Sequence, residues 1–161
     1  MKAVEKSIDG KVWRAVINDE DVQSYLDEGY VISADDAPWR IEEAKYAKIA
    51  EIEEYDKSDN VNIFYLGEEA MWLPREDRIA LRNGCEMAAQ AGETIYTIWW
   101  NNKPYKMACE QFLFCLMKIE VYAVECFNVT AQHKADVMAL ETMADIEAYN
   151  IKDGYPDVLH F

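Results

Sequence analysis

The chain has 161 residues, of which 51% are hydrophobic. A chain of this length can bury roughly two-thirds of its unfolded surface, so it needs no metal or disulfide to fold. Its 31 acidic and 16 basic residues give a net charge of −15, with 16 acids and 8 bases over 1–60 and 15 acids and 8 bases over 61–161. An acidic surface of this kind repels phosphates and anionic lipids, so we expect no nucleic acid and no membrane among the direct partners.

The four cysteines lack the CxxC spacing of metal and redox sites, and three lie in or beside the most apolar stretch of the chain. Free cysteine behaves there as a small hydrophobe, so we expect buried thiols and a reducing compartment. They are Cys85, Cys109, Cys115 and Cys126. The first residues lack the apolar core of a signal peptide, and we therefore expect an intracellular protein.

Residues 1–38 have the pattern of a small strand-helix-strand module. Lys11–Ile17 is an apolar, β-branched run that follows the turn pair Asp9-Gly10, which predicts a strand. A cluster of acids then predicts a helix start, and Gly29 is placed to cap the helix end. Tyr30–Ile32 predicts a second strand.

Residues 39–57 predict a connecting amphipathic helix with a narrow apolar stripe. Such a stripe fits a connector within the fold or a helical seam to a partner chain. Residues 58–161 predict the main domain, which opens with two β-hairpins separated by a helix. The hairpins cover 61–73 and 94–108, with turns at Gly67 and at Asn101-Asn102, and the helix runs from Pro74 to Gly92.

The stretch Cys109–Phe127 is the most hydrophobic in the chain, and between Phe112 and Met117 every residue is apolar. It predicts a central helix buried on most sides, too often interrupted by charge to be a membrane span. Further helices are predicted over 130–140, capped by Thr130, and over 143–150, capped by Thr142, followed by an extended tail. The predicted fold class is α+β, with β-hairpins packed on a buried central helix.

Catalytic motifs are scarce. His133 and His160 are the only histidines, and the chain has no HxxxH, HExxH, GxSxG or glycine-rich phosphate loop. We therefore predict no catalytic residue, no cofactor and no metal site.

Two groups of side chains are candidates for binding. Arg75, Arg78 and Arg82 are spaced to line one helix face, as an anion-binding strip or as salt-bridge partners such as Arg82 with Glu86. The second group is aromatic and sits on the hairpins, where alternation sends two neighbouring tryptophans to opposite faces. One of that pair is covered by another element or contacts a partner, and the candidate partner-binding residues are Trp72, Trp99, Trp100 and Tyr105.

Several motifs over about residues 48–161 resemble an uncharacterised family of phage and prophage tail-fibre-region proteins. They are IEEYD (52–56), VNIFYLGEEAMWL (61–73), TIYTIWWNNKPY (94–105), VYAVECFNVTAQHK (121–134) and IEAYNIKDGYP (146–156). The chain departs from the family pattern at Asn102, where the family turn usually has glycine, and at Tyr65. The amino-terminal part is similar to the opening of phage tail-fibre assembly proteins.

The resemblance implies a non-enzymatic structural or assembly protein, either an assembly chaperone or a minor tail component. Its implied partner is a tail-fibre or other tail protein, and its implied location is the cytoplasm of the bacterial host or the virion. Self-association into a homo-oligomer is compatible with the sequence. Two other readings remain open: an acidic inhibitor whose carboxylates mimic nucleic-acid phosphates, and an enzyme built on two converging carboxylates.

Overall fold

The computed structural model describes all 161 residues, 50% of them helical and 22% in strands, and it confirms the predicted α+β class. The strands are β1 (Lys2–Ile8), β2 (Lys11–Ile17), β3 (Val31–Ile32), β4 (Phe64–Leu66), β5 (Glu69–Met71), β6 (Ile95–Trp100), β7 (Lys103–Ala108) and β8 (Leu159–His160). The helices are α1 (Val22–Asp27), α2 (Pro38–Asp56), α3 (Arg75–Gln90), α4 (Cys109–Ala139) and α5 (Met143–Ala148). No helix is both long enough and apolar enough to cross a bilayer.

The chain divides into two compact units. The first combines Met1–Ala50 with Asp136–Tyr149, and the second combines Glu51–Ala135 with Asn150–Phe161. The division passes through α2 and through the last turns of α4. The boundaries between the three segments predicted from sequence instead follow residues 38 and 57. A boundary inside a continuous helix leaves no turn or linker signal in the sequence, because the backbone pattern is unbroken there.

The first unit contains a three-stranded antiparallel sheet in the order β2-β1-β3. The turn between β1 and β2 is formed by Asp9 and Gly10, whose φ angles of 51° and 76° suit a two-residue hairpin. The central strand β1 is absent from the sequence-based prediction. Its pattern is weak because charged residues interrupt it and only Ala3 and Val4 are buried.

The second unit contains the two predicted hairpins. β4 and β5 pair around Gly67, and β6 and β7 pair around Asn101 and Asn102, both of which have positive φ. The C-terminal tail adds β8 to β4 as a parallel strand, and the Phe161 N–H donates to the carbonyl oxygen of Tyr65 at 2.9 Å. The apolar tail therefore lies against the body of the second unit, where Leu159 and Phe161 pack on the core.

Helix α4 supplies most of the core of the second unit. Its buried side chains pack against the β4–β5 hairpin and against α3. They include Phe112, Leu116 and Ile119, which meet Phe64, Met71, Leu73 and Cys85. The opposite side of α4 is exposed, so the helix is buried along one face rather than on most sides.

The predicted break after Asn128 does not occur, because α4 continues without interruption to Ala139. Thr130 does not cap a new helix. Its hydroxyl instead donates to the Asp56 carboxylate at 2.7 Å and lies 2.8 Å from the Tyr155 hydroxyl. A side chain with such tertiary partners has no need to satisfy a helix terminus, and no glycine or proline ends the helix here. By contrast, Thr142 does cap α5, accepting from the Asp145 N–H at 3.2 Å.

Candidate protein-binding surfaces

Several residues of the motifs quoted above come together in the second unit as a partly buried polar cluster. Asp56 accepts from Thr130, and the Asp56 carbonyl oxygen accepts from the side-chain amide of Asn62. Tyr122 donates its hydroxyl to the Val61 carbonyl oxygen at 2.7 Å, and burial raises the pKa of Tyr122. These groups satisfy one another internally, so they hold the end of α2 and the loop after it to α4.

His133 belongs to the same cluster. It is buried, its Nε2 lies 2.8 Å from the Asp153 carbonyl oxygen, and its ring packs against Tyr155 with 5.7 Å between ring centroids. No group of three or more His, Cys, Asp or Glu side chains is arranged to hold a metal ion.

All four cysteines are free and buried. Burial raises the pKa of the Cys85 thiol to about 11 and also raises the pKa of the Cys115 and Cys126 thiols. A thiol held protonated and away from solvent is a poor nucleophile at neutral pH, so these side chains act as core residues.

The three arginines of α3 do not form a continuous exposed strip. Arg78 is buried: its Nε donates to Glu120 at 2.7 Å, its guanidinium donates to the Leu73 carbonyl oxygen at 2.6 Å, and it lies over the Trp72 ring. Arg82 pairs with Glu86 at 2.9 Å, as one of the two sequence-based readings expects. Arg75 is exposed beside a groove of about 510 Å³ between α3 and α4.

The aromatic side chains of the hairpins divide between the core and the surface. Trp100 and Tyr105 pack partly buried against the core, and Trp72 meets Tyr122 edge to face. Trp99 points the other way and is 70% exposed. Of the four candidate partner-binding residues, only Trp99 therefore presents its ring to solvent.

The outer face of the β6–β7 hairpin surrounds Trp99 with a mixed surface. Trp99 pairs with Pro104 across the hairpin, and Lys106, also exposed, lies two residues further along the same face. Ile95 completes the apolar part and is half exposed. We call this surface the hairpin face.

A second apolar surface runs along α4 and is missing from the sequence-based prediction. Phe114, Met117, Val121 and Val124 are each about half exposed, and Phe127 is 69% exposed. The signal is in the sequence, since these positions recur every three or four residues, but the run Phe112–Met117 is apolar at every position and therefore predicts burial instead. A large contiguous apolar patch on a protein surface marks an interaction site.

Comparisons with protein-family models, with curated proteins and with solved structures found no match to this chain. The resemblance to phage tail-fibre-region proteins therefore rests on the motifs quoted above.

Proposed function

We propose that this chain is a non-enzymatic structural or assembly protein of a phage or prophage tail, and that it acts by protein–protein binding through the hairpin face. The motif resemblance supports the tail assignment. The outward position of Trp99 supports the mode of action and is the observation that carries the proposal.

Trp99 has the properties of a binding anchor. Tryptophan is enriched at the energetic centres of interfaces, where a single rigid side chain can supply much of the binding free energy. The backbone at Trp99 is anchored, because its strand neighbour Trp100 packs against the core and Asn101-Asn102 closes the hairpin beside it. The ring is thus presented without the entropy loss of ordering a flexible loop.

The partner is a tail protein with an apolar pocket for the indole and acidic side chains at the rim of that pocket. The apolar part follows from Trp99 and Pro104, which lie directly opposite each other. The acidic rim follows from Lys106, the exposed cation on the same face. Elsewhere the chain is strongly acidic, so a partner with this charge pattern is drawn to the hairpin face and repelled by the rest of the surface.

The test is binding to the purified fibre-region proteins encoded by the same phage. Trp99→Ala should weaken the complex by about thirtyfold, as expected for a central aromatic anchor. The matched control is Trp13→Ala, which removes another exposed tryptophan, on β2 in the first unit, and should leave affinity unchanged. Absence of binding, together with normal tails after deletion of the gene, would overturn the proposal.

A further inference from the structure

The exposed positions of α4 form a heptad seam. Phe114, Met117, Val121, Val124, Asn128 and Ala131 follow one another at spacings of three and four residues, and all six are exposed. We call them the α4 seam. Apolar residues repeating at this spacing allow a helix to pack lengthwise against a second helix. Each such side chain then fits between four side chains of the partner helix. We therefore expect the α4 seam to bind a second helix.

The charges beside the seam select a direction for that helix. Lys118 and Glu125 are exposed and lie on the same flank of the seam. Neither forms an ion pair within the chain, and the Lys118 ammonium lies 5.6 Å from the centre of the Phe114 ring. If two copies of α4 paired in parallel, Glu125 would approach Glu120 of the other copy, whose carboxylate already pairs with Arg78, and neither Lys118 nor Glu125 would gain an oppositely charged partner. If they paired antiparallel, Lys118 of each copy would approach Glu125 of the other, giving two attractive pairs.

The sizes of the seam residues select the register. With Val121 opposite Val124 of the second copy, Phe114 faces Ala131 and Met117 faces Asn128, so large side chains meet small or medium ones. The same register brings Lys118 opposite Glu125. The contact covers the helix from Phe114 to Ala131, about 26 Å at 1.5 Å per residue.

We propose that a second copy of this chain covers the α4 seam, with the two α4 helices antiparallel and related by a twofold axis beside Val121 and Val124. A twofold contact uses the same patch on both subunits, which requires that patch to be complementary to itself. The Phe114–Ala131 and Lys118–Glu125 pairings meet this requirement in one register. The inference is independent of the proposed function, because the hairpin face and the α4 seam share no residue.

Sedimentation velocity of the full chain over a wide concentration range tests the pairing. The wild type should form a species of twice the 18.7 kDa chain mass, and Val121→Glu should remain at the single mass. The control is Met87→Glu, which places the same charge on an exposed apolar position of α3 outside the seam and should still dimerise. If Val121→Glu loses helical circular dichroism, Val121→Ser replaces it. A wild type that stays at the single mass at every concentration overturns the proposal.

A charge exchange tests the direction. Lys118→Glu and Glu125→Lys should each weaken dimerisation by about tenfold, since each turns two attractive pairs into repulsive ones. The double variant restores both pairs and should return to within about threefold of the wild type. In a parallel pairing Lys118 would not approach Glu125, so Glu125→Lys would not weaken the dimer, and that result overturns the antiparallel arrangement.

The outcomes separate this inference from the proposed function. A monomeric wild type that binds tail protein through Trp99 would overturn the self-pairing alone. If the wild type dimerises, Val121→Glu is monomeric, and the wild type binds no tail protein, the self-pairing is supported and the proposed function is not.

Discussion

Arg78 shows how a single residue can take a different role from its neighbours in the same sequence pattern. Arg75, Arg78 and Arg82 share one helix face, yet only Arg78 is enclosed, with Glu120, the Leu73 carbonyl oxygen and the Trp72 ring around its guanidinium. A buried charge is tolerated only when it is paired and hydrogen-bonded, and here both conditions are met. The pattern indicates the face, whereas the partners come from elsewhere in the chain.

We predict that Arg78→Ala destabilises the protein by about 2–3 kcal/mol, because it leaves a buried carbonyl oxygen and a partly buried carboxylate without their donor. Arg82→Ala is the matched control: its pair with Glu86 is exposed and should be worth no more than about 0.5 kcal/mol. Urea unfolding of the two variants measures the difference. Equal losses for both would show that Arg78 is as solvated as Arg82.

At the scale of secondary-structure elements, the turns of the two hairpins are linked by an ion pair. Lys103, at the start of β7, donates to Glu69, at the start of β5. The hydrogen bond from Lys103 lowers the pKa of Glu69 below its usual 4.5 and raises the pKa of Lys103 above its usual 10.5. Both shifts mean that the charged forms are favoured in the folded protein.

The sign of the pH effect follows from these shifts. Glu69 has a lower pKa folded than unfolded, so its contribution to stability is present above 4.5 and is lost as the pH falls through its lowered pKa. Lys103 has a raised pKa, so its contribution is present below 10.5 and is lost as the pH rises through that raised value. We predict that Glu69→Gln is less stable than the wild type at pH 7, and that the gap narrows as the pH drops below 4.5.

The measurement is the urea midpoint of both proteins across the acidic range. Glu54→Gln, which removes an exposed carboxylate of α2, is the control and should show no comparable narrowing. A gap between wild type and Glu69→Gln that stays constant with pH would show that the pair does not hold in solution.

Helix α4 also shows what a tertiary contact does to an element boundary. Asn128 and Thr130 both suit a helix start, and the sequence accordingly predicts a new helix there. In the fold, the Thr130 hydroxyl lies between Asp56 and Tyr155, which come from distant parts of the chain. That side chain is therefore not available to cap a helix start, and α4 runs through this position.

At the scale of the whole molecule, the net charge of −15 opposes any contact between two copies. The repulsion acts over the Debye length, about 10 Å at 0.1 M salt, and is screened as salt is added. The apolar contacts of the α4 seam are not screened, and the Lys118–Glu125 pairs form a small part of the charge present.

We therefore predict that dimerisation strengthens as ionic strength rises from low salt to above physiological salt, because screening removes more repulsion than attraction. Sedimentation equilibrium at several salt concentrations measures this dependence. The charge-neutral variant Val121→Ser should remain weakened at all of them. A dimer that weakens with salt would show that local ion pairs, rather than the seam, hold the copies together.

Sequence patterns alone predict the class of the fold, both hairpins of the second unit with their turns, and the extents of α2 and α3 to within a few residues. These depend on local chemistry: positive φ at Asn101 and Asn102, and helix patterns bounded by proline and glycine. The sequence also placed Trp99 and Trp100 on opposite faces, since side chains alternate along a strand.

Tertiary packing is needed to tell which of those two tryptophans faces solvent and which arginine is buried. It also reveals that α4 runs unbroken with one apolar face exposed. Each of these outcomes depends on what packs against a residue from far along the chain. An apolar residue has the same propensity whether it meets the core or water, so its position in the sequence cannot state whether the fold has covered it. For the α4 seam the fold leaves the residues uncovered, and that exposure is the physical basis for assigning them a partner.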